Sequence, residues 1–338
     1  MSSSSPTAAE VAAKAGVSRM TVYRVINSDP KVSTRTATAV QRVMRSLNFV
    51  PSRQRHARLP GVDESLPQLG TGRFAFLIPD TNVAALRTPL TGRLLHGIDA
   101  VLAPRGLDLS LTRLPSEGHL PDLITQQKVD GVIVRSNLMD DYPVEPLQSL
   151  PCVWLMESRE QAPSGDIVHT DDAAIGRIAA QALLERGCRD VAIVNETAAH
   201  DSYAARIRSF MSTMRGSEVE VHRIEANGEP IDHLVGLIKK HLKNHTKTDG
   251  YFLPGTMPII NRLYQALMNS GRDLKQVVVV TASYDSDVTD SIRPKPIHIE
   301  SLPEQLGEAA AELLLWRLNH PTAAGRRISL SPRTVESS

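Results

Sequence analysis

From residue 73 onward, short apolar runs alternate with helix-length stretches, and this alternation constrains the fold more than any other feature of the chain. The apolar runs lie at 73–79, 130–134, 152–155, 191–194, 250–253 and 277–280. Helical stretches fall between and after them, at 90–104, 173–186, 202–214, 231–244, 258–270 and 303–318. Short strands with no polar face need cover on both sides, and strands alternating with helices predict parallel sheets with helices on both faces.

Length and composition agree with a chain larger than one such sheet. At 338 residues about two domains are expected. With 41% hydrophobic and 22% charged residues, the chain has enough apolar material for a sizeable core. No apolar run approaches the roughly 18 residues of a membrane span. The opening MSSSSP lacks both the basic and the apolar parts of a secretion leader, so a cytoplasmic protein is expected. Cys152 and Cys188 are the only cysteines and have no metal-ligand spacing. A disulfide framework and a Cys-rich zinc site are therefore excluded, and neither cofactor nor metal is expected.

The net charge of +1 conceals a division. Residues 1–60 hold ten basic residues against Glu10 and Asp29, so the remainder is net acidic. A small basic segment on a mildly acidic body suggests a nucleic-acid-binding head, or else a solvated basic tail. The apolar pattern argues against the tail. Ala8, Val11, Ala12 and Ala15 share one helix face. Gly16-Val17-Ser18 then supplies a break and a new N-cap. Val22, Val25 and Ile26 mark a second short helix, which the segment from Asn27 to Pro30 ends. Ser33 can cap a third, with Val40, Val43, Met44 and Leu47 on its inner face. Three short helices with a tight turn between the first two form a helix-turn-helix, whose second helix enters the DNA major groove.

The run TAAEVAAKAGVSRMTVYRVIN, residues 7–27, resembles the headpiece of the lactose-repressor/galactose-repressor (LacI/GalR) family, and the match continues through Val32-Ser33 and 47–51. The resemblance implies that Arg19 and Met20 face bases. It further implies that Thr21, Arg24 and Asn27 contact phosphate or base edges, and that Thr7, Ser18, Ser33 and Thr34 belong to the same DNA-binding surface, the two serines and Thr34 anchoring backbone. Tyr23 replaces the usual Ser and either adds a contact or packs. The chemistry is compatible, because Arg19 can donate two hydrogen bonds to guanine while Met20 offers only apolar contact, for instance with a thymine methyl. Arg24 can also act as a phosphate clamp without sequence preference. The hinge departs from the family pattern P-N-x-x-A-x-x-L. Arg55 stands at the Ala position and Arg58 at the Leu position, with Leu59 one residue later, about 100° round a helix. Either Leu59 wedges into the minor groove after a register shift, or the arginines enter it instead, which a narrow groove favours.

The body also resembles the family, over about residues 7–330 in all. Asp171-Asp-Ala-Ala-Ile-Gly176 and the segment 183–193 carry this likeness. It implies two lobes like those of a periplasmic sugar-binding protein, roughly 73–169 with 301–327, and 170–300 with the C-terminal strand, joined by three crossings. The expected organisation is a headpiece with hinge over 1–59, a linker over 60–72, and an effector-binding and dimerisation domain over 73–338. Ligands in such folds sit between the lobes, beyond the strand C-termini. By resemblance Arg206 and Asp285 contact the effector, and Glu157 lies near an acidic cleft position. Pro254-Gly255-Thr256 replaces the usual T-N-D, while Arg87 and Arg93 are possible additions to the cleft. Losing a carboxylate and gaining arginines favours an anionic ligand. The segment 154–157 and the ending 328–332 resemble the gluconate-repressor branch, so a sugar acid such as gluconate or 2-ketogluconate is expected, with a neutral sugar or nucleoside as the alternative.

The function expected is a sequence-specific transcription regulator, a repressor, binding palindromic double-stranded operator DNA as a homodimer under control of a small effector. The ending at 332–338 has no heptads, which disfavours a tetramer. A solute-binding protein would share the body but has no use for residues 7–59. An architectural DNA binder would not need the cleft. No dinucleotide, P-loop or G-x-S-x-G motif follows any apolar run, so an enzyme is not expected.

Overall fold

A computed structural model describes residues 7–26, 32–47, 69–79, 88–115, 120–136, 147, 150–157, 165–196, 200–255, 257–283 and 291–335. The chain divides into two compact units, one holding the described residues up to 47, the other those from 71 on.

The first unit is built from α1 (Ala8–Ala15), α2 (Arg19–Ile26) and α3 (Thr34–Ser46). Each helix begins at a hydroxyl. The Thr7 hydroxyl accepts the Glu10 N–H at 3.3 Å while the Thr7 N–H donates to the Glu10 carboxylate at 2.7 Å, a reciprocal cap. Ser18 accepts the Thr21 N–H at 3.1 Å and Ser33 the Thr36 N–H at 3.2 Å. Gly16 ends α1 at φ +65°, where the chain doubles back and the Val17 N–H donates to the Ala12 carbonyl at 3.0 Å. The three helices bury Val11, Ala12, Val22, Val25 and Val40 against one another.

The second unit contains two six-stranded sheets. In the first, β1 (Arg73–Pro79), β2 (Asp108–Leu114), β3 (Gly131–Arg135), β4 (Cys152–Leu155), β5 (Asp166–Thr170) and β11 (Arg327–Leu330) lie in the order β11-β5-β4-β3-β1-β2, all parallel. In the second, β6 (Asp190–Asn195), β7 (Glu220–Glu225), β8 (Gly250–Leu253), β9 (Val278–Ser283), β10 (Ile297–Glu300) and β12 (Arg333–Val335) lie in the order β12-β10-β9-β8-β6-β7. Only β12 is antiparallel there. Helices α4 (Pro89–Leu102), α5 (Asp122–Thr125) and α10 (Pro303–Asn319) serve the first sheet; α6 (Asp172–Glu185), α7 (Asp201–Met214), α8 (Ile231–Asn244) and α9 (Met257–Asn269) serve the second.

Strand periodicity divides the second lobe's core in two. Ala192, Val194, Tyr251 and Leu253 pack with α8 and α9, while Val191, Ile193 and Phe252 pack on the opposite face with α6 and α7. Burying each of these larger side chains contributes about 1.5–3 kcal/mol. Close helix crossings rest on glycines. A β-carbon on Gly176 of α6 would lie 2.0 Å from the Arg206 carbonyl oxygen of α7. One on Gly97 of α4 would lie 2.0 Å from that of Glu304 in α10.

The chain crosses between lobes three times: from β5 into α6, from β10 into α10, and from β11 into β12. Because β5 ends where the second lobe begins and β10 ends where the chain returns, the strand C-termini of both sheets meet at the crossings. No helix among the described residues is long and apolar enough to cross a membrane.

Candidate functional site

In the first unit, α2 presents two opposite faces. Val22 and Val25 are buried, while Arg19, Met20 and Arg24 are exposed. Met20 is 62% exposed, an apolar side chain held in solvent on the first turn. Thr21 and Tyr23 are half-buried beside them. Glu10 is the sole acid among the described residues of this unit, and its carboxylate is engaged with Thr7. The unit is therefore uniformly cationic around α2, suited to phosphate on either side of an apolar and guanidinium tip. The Thr7, Ser18 and Ser33 hydroxyls all act as helix caps, which fixes the direction of each N-terminus. The backbone of Thr34 opens α3 and its side chain lies outside the described residues, as do Asn27, Arg55, Arg58 and Leu59.

The cleft site is best defined around Arg206. This residue lies in the second turn of α7 and is 2% exposed. Its Nε donates to Asp172 Oδ1 at 2.7 Å and its Nη1 to the Pro254 carbonyl at 2.5 Å. One guanidinium thus ties the first turn of α6, the second turn of α7 and the turn after β8 at the C-terminal end of the sheet. Its Cζ lies 5.5 Å from the centroid of the Tyr203 ring, which stacks on His200 at 4.4 Å. Tyr203 also explains the departure at Pro254-Gly255. A β-carbon on Gly255 would lie 2.2 Å from the tyrosine ring, so the ring occupies the space of the missing side chain.

Across the cleft, β3 ends in Arg135, which is buried and donates from Nη1 to the Thr91 hydroxyl at 2.6 Å. Ser136 follows and donates to the Leu155 carbonyl at 3.2 Å. Beyond β4, Met156 takes φ +65°, a left-handed turn unusual for a side chain of this size, and leads into fully buried Glu157. Burial depresses the pKa of His200, and the cations Arg206 and Arg135 add to this against Asp172 and Asp201. Burial and arginines from both lobes thus disfavour the protonated imidazole.

Arg93 does not join this group. Its guanidinium donates to Glu300 at 2.7 Å and twice to Glu304, and Glu300 also accepts from Arg333 at 2.6 Å. Two carboxylates already balance its charge, so the sequence argument for an uncompensated arginine at this position fails. Arg87 and Asp285 lie outside the described residues. Sequence reasoning passed over Tyr203 and Arg135. Arg135 had a signal, a lone charge closing an apolar strand; Tyr203 had only the glycine it fills.

Comparison with known proteins places both units. The family described as bacterial regulatory proteins, lacI family, matches residues 7–52. The family of periplasmic binding proteins and sugar binding domain of LacI family matches residues 83–336. Among curated proteins, the HTH-type transcriptional regulator CelR of Thermobifida fusca is 26% identical, covering 96% of this chain and 95% of its own. The ribose operon repressor of Escherichia coli K12 is 24% identical, covering 97% of each. Among solved structures, a CelR–cellobiose complex superposes with a TM-score of 0.64 at 25% identity, covering 98% of each chain. The lac repressor dimer bound to operator and the anti-inducer ONPF gives 0.63 at 17% identity and 98% coverage, a likeness of fold.

Proposed function

This chain belongs to the LacI family of bacterial regulatory proteins, and from that premise we propose that it is a cytoplasmic, non-enzymatic repressor. It binds a palindromic operator as a homodimer through residues 1–59 and releases or tightens on it when a small hydroxylated effector enters the cleft of residues 73–338, with 60–72 as linker. The observation that carries the reading is the exposed tip of α2, where Arg19 and Met20 stand out from buried Val22 and Val25. Arg19 reads a guanine, Met20 makes apolar base contact, and Thr21, Tyr23, Arg24 and Asn27 with the capped N-termini hold the phosphates. Arg55, Arg58 and Leu59 supply the minor-groove contact.

The effector is of the sugar class, held by Arg206, Asp285 and Glu157, together with Arg135 and Tyr203. Support comes from two buried arginines, Arg206 in α7 and Arg135 at the end of β3, with the Tyr203 ring beside Arg206, a set that suits vicinal hydroxyls. The narrower proposal is a sugar acid, such as gluconate or 2-ketogluconate. Its support is the carboxylate missing where Pro254-Gly255-Thr256 replaces the usual T-N-D. CelR was solved with cellobiose, so a neutral sugar is the competing ligand.

Selection of bound sequences from a random duplex pool tests the DNA reading. A palindromic site with two half-sites is expected, and enrichment of no sequence would sink it. Calorimetry with gluconate, 2-ketogluconate, glucose, ribose and cellobiose tests the effector. Binding of a neutral sugar alone would remove the acid proposal, and binding of none would remove the sugar class.

A further inference from the structure

The second lobe carries a cluster of metal-ligating side chains at the opposite end of its sheet from the cleft. Asp190 opens β6, and Glu220 opens β7 directly opposite it in the strand register. His222 is two residues further along β7, so strand periodicity returns it to the same face as Glu220. His222 Nε2 lies 3.2 Å from Asp190 Oδ1 and 3.6 Å from Glu220 Oε1, and one ligand atom from each of the three falls within 4.8 Å of the others. His241, in the last turn of α8, and His245, its C-cap, close the other side. Their rings lie 5.1 Å and 4.2 Å from that of His222.

Two further facts point to a ligand. His222 Nε2 and Asp190 Oδ1 are both solvent-inaccessible atoms that make no hydrogen bond, although they face each other. A buried donor–acceptor pair left unsatisfied in this way costs stability unless something else bonds both. The spacing is also suited to a metal ion. Zinc bonds of about 2.0–2.2 Å to nitrogen and oxygen place two ligands of a tetrahedral site about 3.3 Å apart, bracketed by the 3.2 and 3.6 Å observed. Glu220 is 71% exposed, which leaves an entry path.

We propose that Asp190, Glu220 and His222 form a Zn2+ site on the second lobe, with His245, whose ring lies 4.2 Å from that of His222, as a further donor. Imidazole with two carboxylates suits zinc over magnesium or calcium, which prefer all-oxygen shells. Because the site joins β6, β7 and the end of α8 away from the strand C-termini, it stabilises the lobe without touching the effector. His241 is spoken for by the Thr248 hydroxyl at 3.0 Å and packs against His245 as support.

The test uses tag-free full-length protein stripped with a chelator, titrated with Zn2+ against a chromophoric competitor and, separately, with Co2+. One Zn2+ per chain is expected, Mg2+ is not expected to compete, and the cobalt form should show the intense visible bands of four-coordination. Glu220→Gln, on an exposed side chain, and His222→Ala should each weaken zinc about tenfold or more, while their metal-free forms keep wild-type circular dichroism. His245→Ala should weaken it less. Zinc should raise the wild-type Tm both with and without effector. Absence of stoichiometric zinc in the wild type, or unchanged affinity in both Glu220→Gln and His222→Ala, overturns the site. In that case the histidine and its carboxylates form only a pH-dependent ion pair.

Discussion

At Arg206, a proposed role and an observed one fall on the same side chain. The resemblance marked it as an effector contact, but its burial against Asp172 also makes it a structural tie. Removing one partner of a buried ion pair strands the other charge, so Arg206→Ala should cost about 3–5 kcal/mol in chemical denaturation. An unchanged midpoint would show that the pair is solvated. The cysteines make a simpler case. Burial first, then Asp249 against Arg186, pushes the Cys188 thiol up to about 11, and burial with Asp166 pushes Cys152 higher still. The thiolate is the reactive form, so native protein at pH 8 should react far more slowly with a disulfide reagent than protein unfolded in guanidinium. Equal rates would contradict the burial. In the headpiece, Arg24→Ala should weaken binding to all DNA and flatten its salt dependence. Arg19→Ala should relax preference at one base pair, at a cost of roughly 1–3 kcal/mol. Matching behaviour of both variants to wild type would remove α2 from the groove.

Among elements, the longer helices were legible, while the short α5 and several strands were not. The expected helix at 231–244 and those at 173–186, 202–214, 258–270 and 303–318 agree with α8, α6, α7, α9 and α10 to within a residue or so at their ends. The six apolar runs became β1, β3, β4, β6, β8 and β9. The C-terminal strand expected in the second lobe is β12, and the strands passed over are β2, β5, β7, β10 and β11. At the edges, DLSLTRL and EVHRIE are partly exposed and carry charges, so no apolar run announces them. Strands β5 and β10 hold His169 and His298 where a core strand would usually be apolar, and their sites are buried by partners far away in sequence. The helix crossings were equally hidden, because a glycine reads as flexibility until its neighbour is known. At Gly307 of α10 a β-carbon would fall 2.3 Å from the Leu94 carbonyl oxygen of α4. Gly307→Ala should therefore force the two helices apart and cost about 1–3 kcal/mol, read as a lower Tm. An unchanged Tm would mean the crossing has slack.

Across the whole molecule, Glu300 joins what the chain's crossings separate. It ends β10 in the second lobe, accepts from Arg93 of α4 in the first, and accepts from Arg333 of β12. Burial alone would raise its pKa, but the hydrogen bonds from Arg93 and Arg333 prevail and hold it below the usual carboxylate range. A depressed folded pKa contributes stability that is present above the unfolded value and fades as pH falls through the folded one. Glu300→Gln should thus be less stable than wild type at neutral pH, by on the order of 1–3 kcal/mol for a charged hydrogen bond. The gap should close below about pH 4. A gap that persisted into acid would assign the effect to packing. This latch shows where sequence reasoning stops. The helix-turn-helix and the alternating α/β body could be read from the chain alone, because caps, turn glycines and apolar periodicity act within a few residues of one another. A dense local run also identified the family. Which charges meet which partners follows from tertiary packing alone. Arg93, a possible addition to the cleft, is neutralised by carboxylates more than two hundred residues away, while Arg135 closes β3 and Tyr203 of α7 packs over Gly255 without a motif. Coulomb and hydrogen-bond partners are set by distance in space, and distance in space follows from how the two sheets are joined.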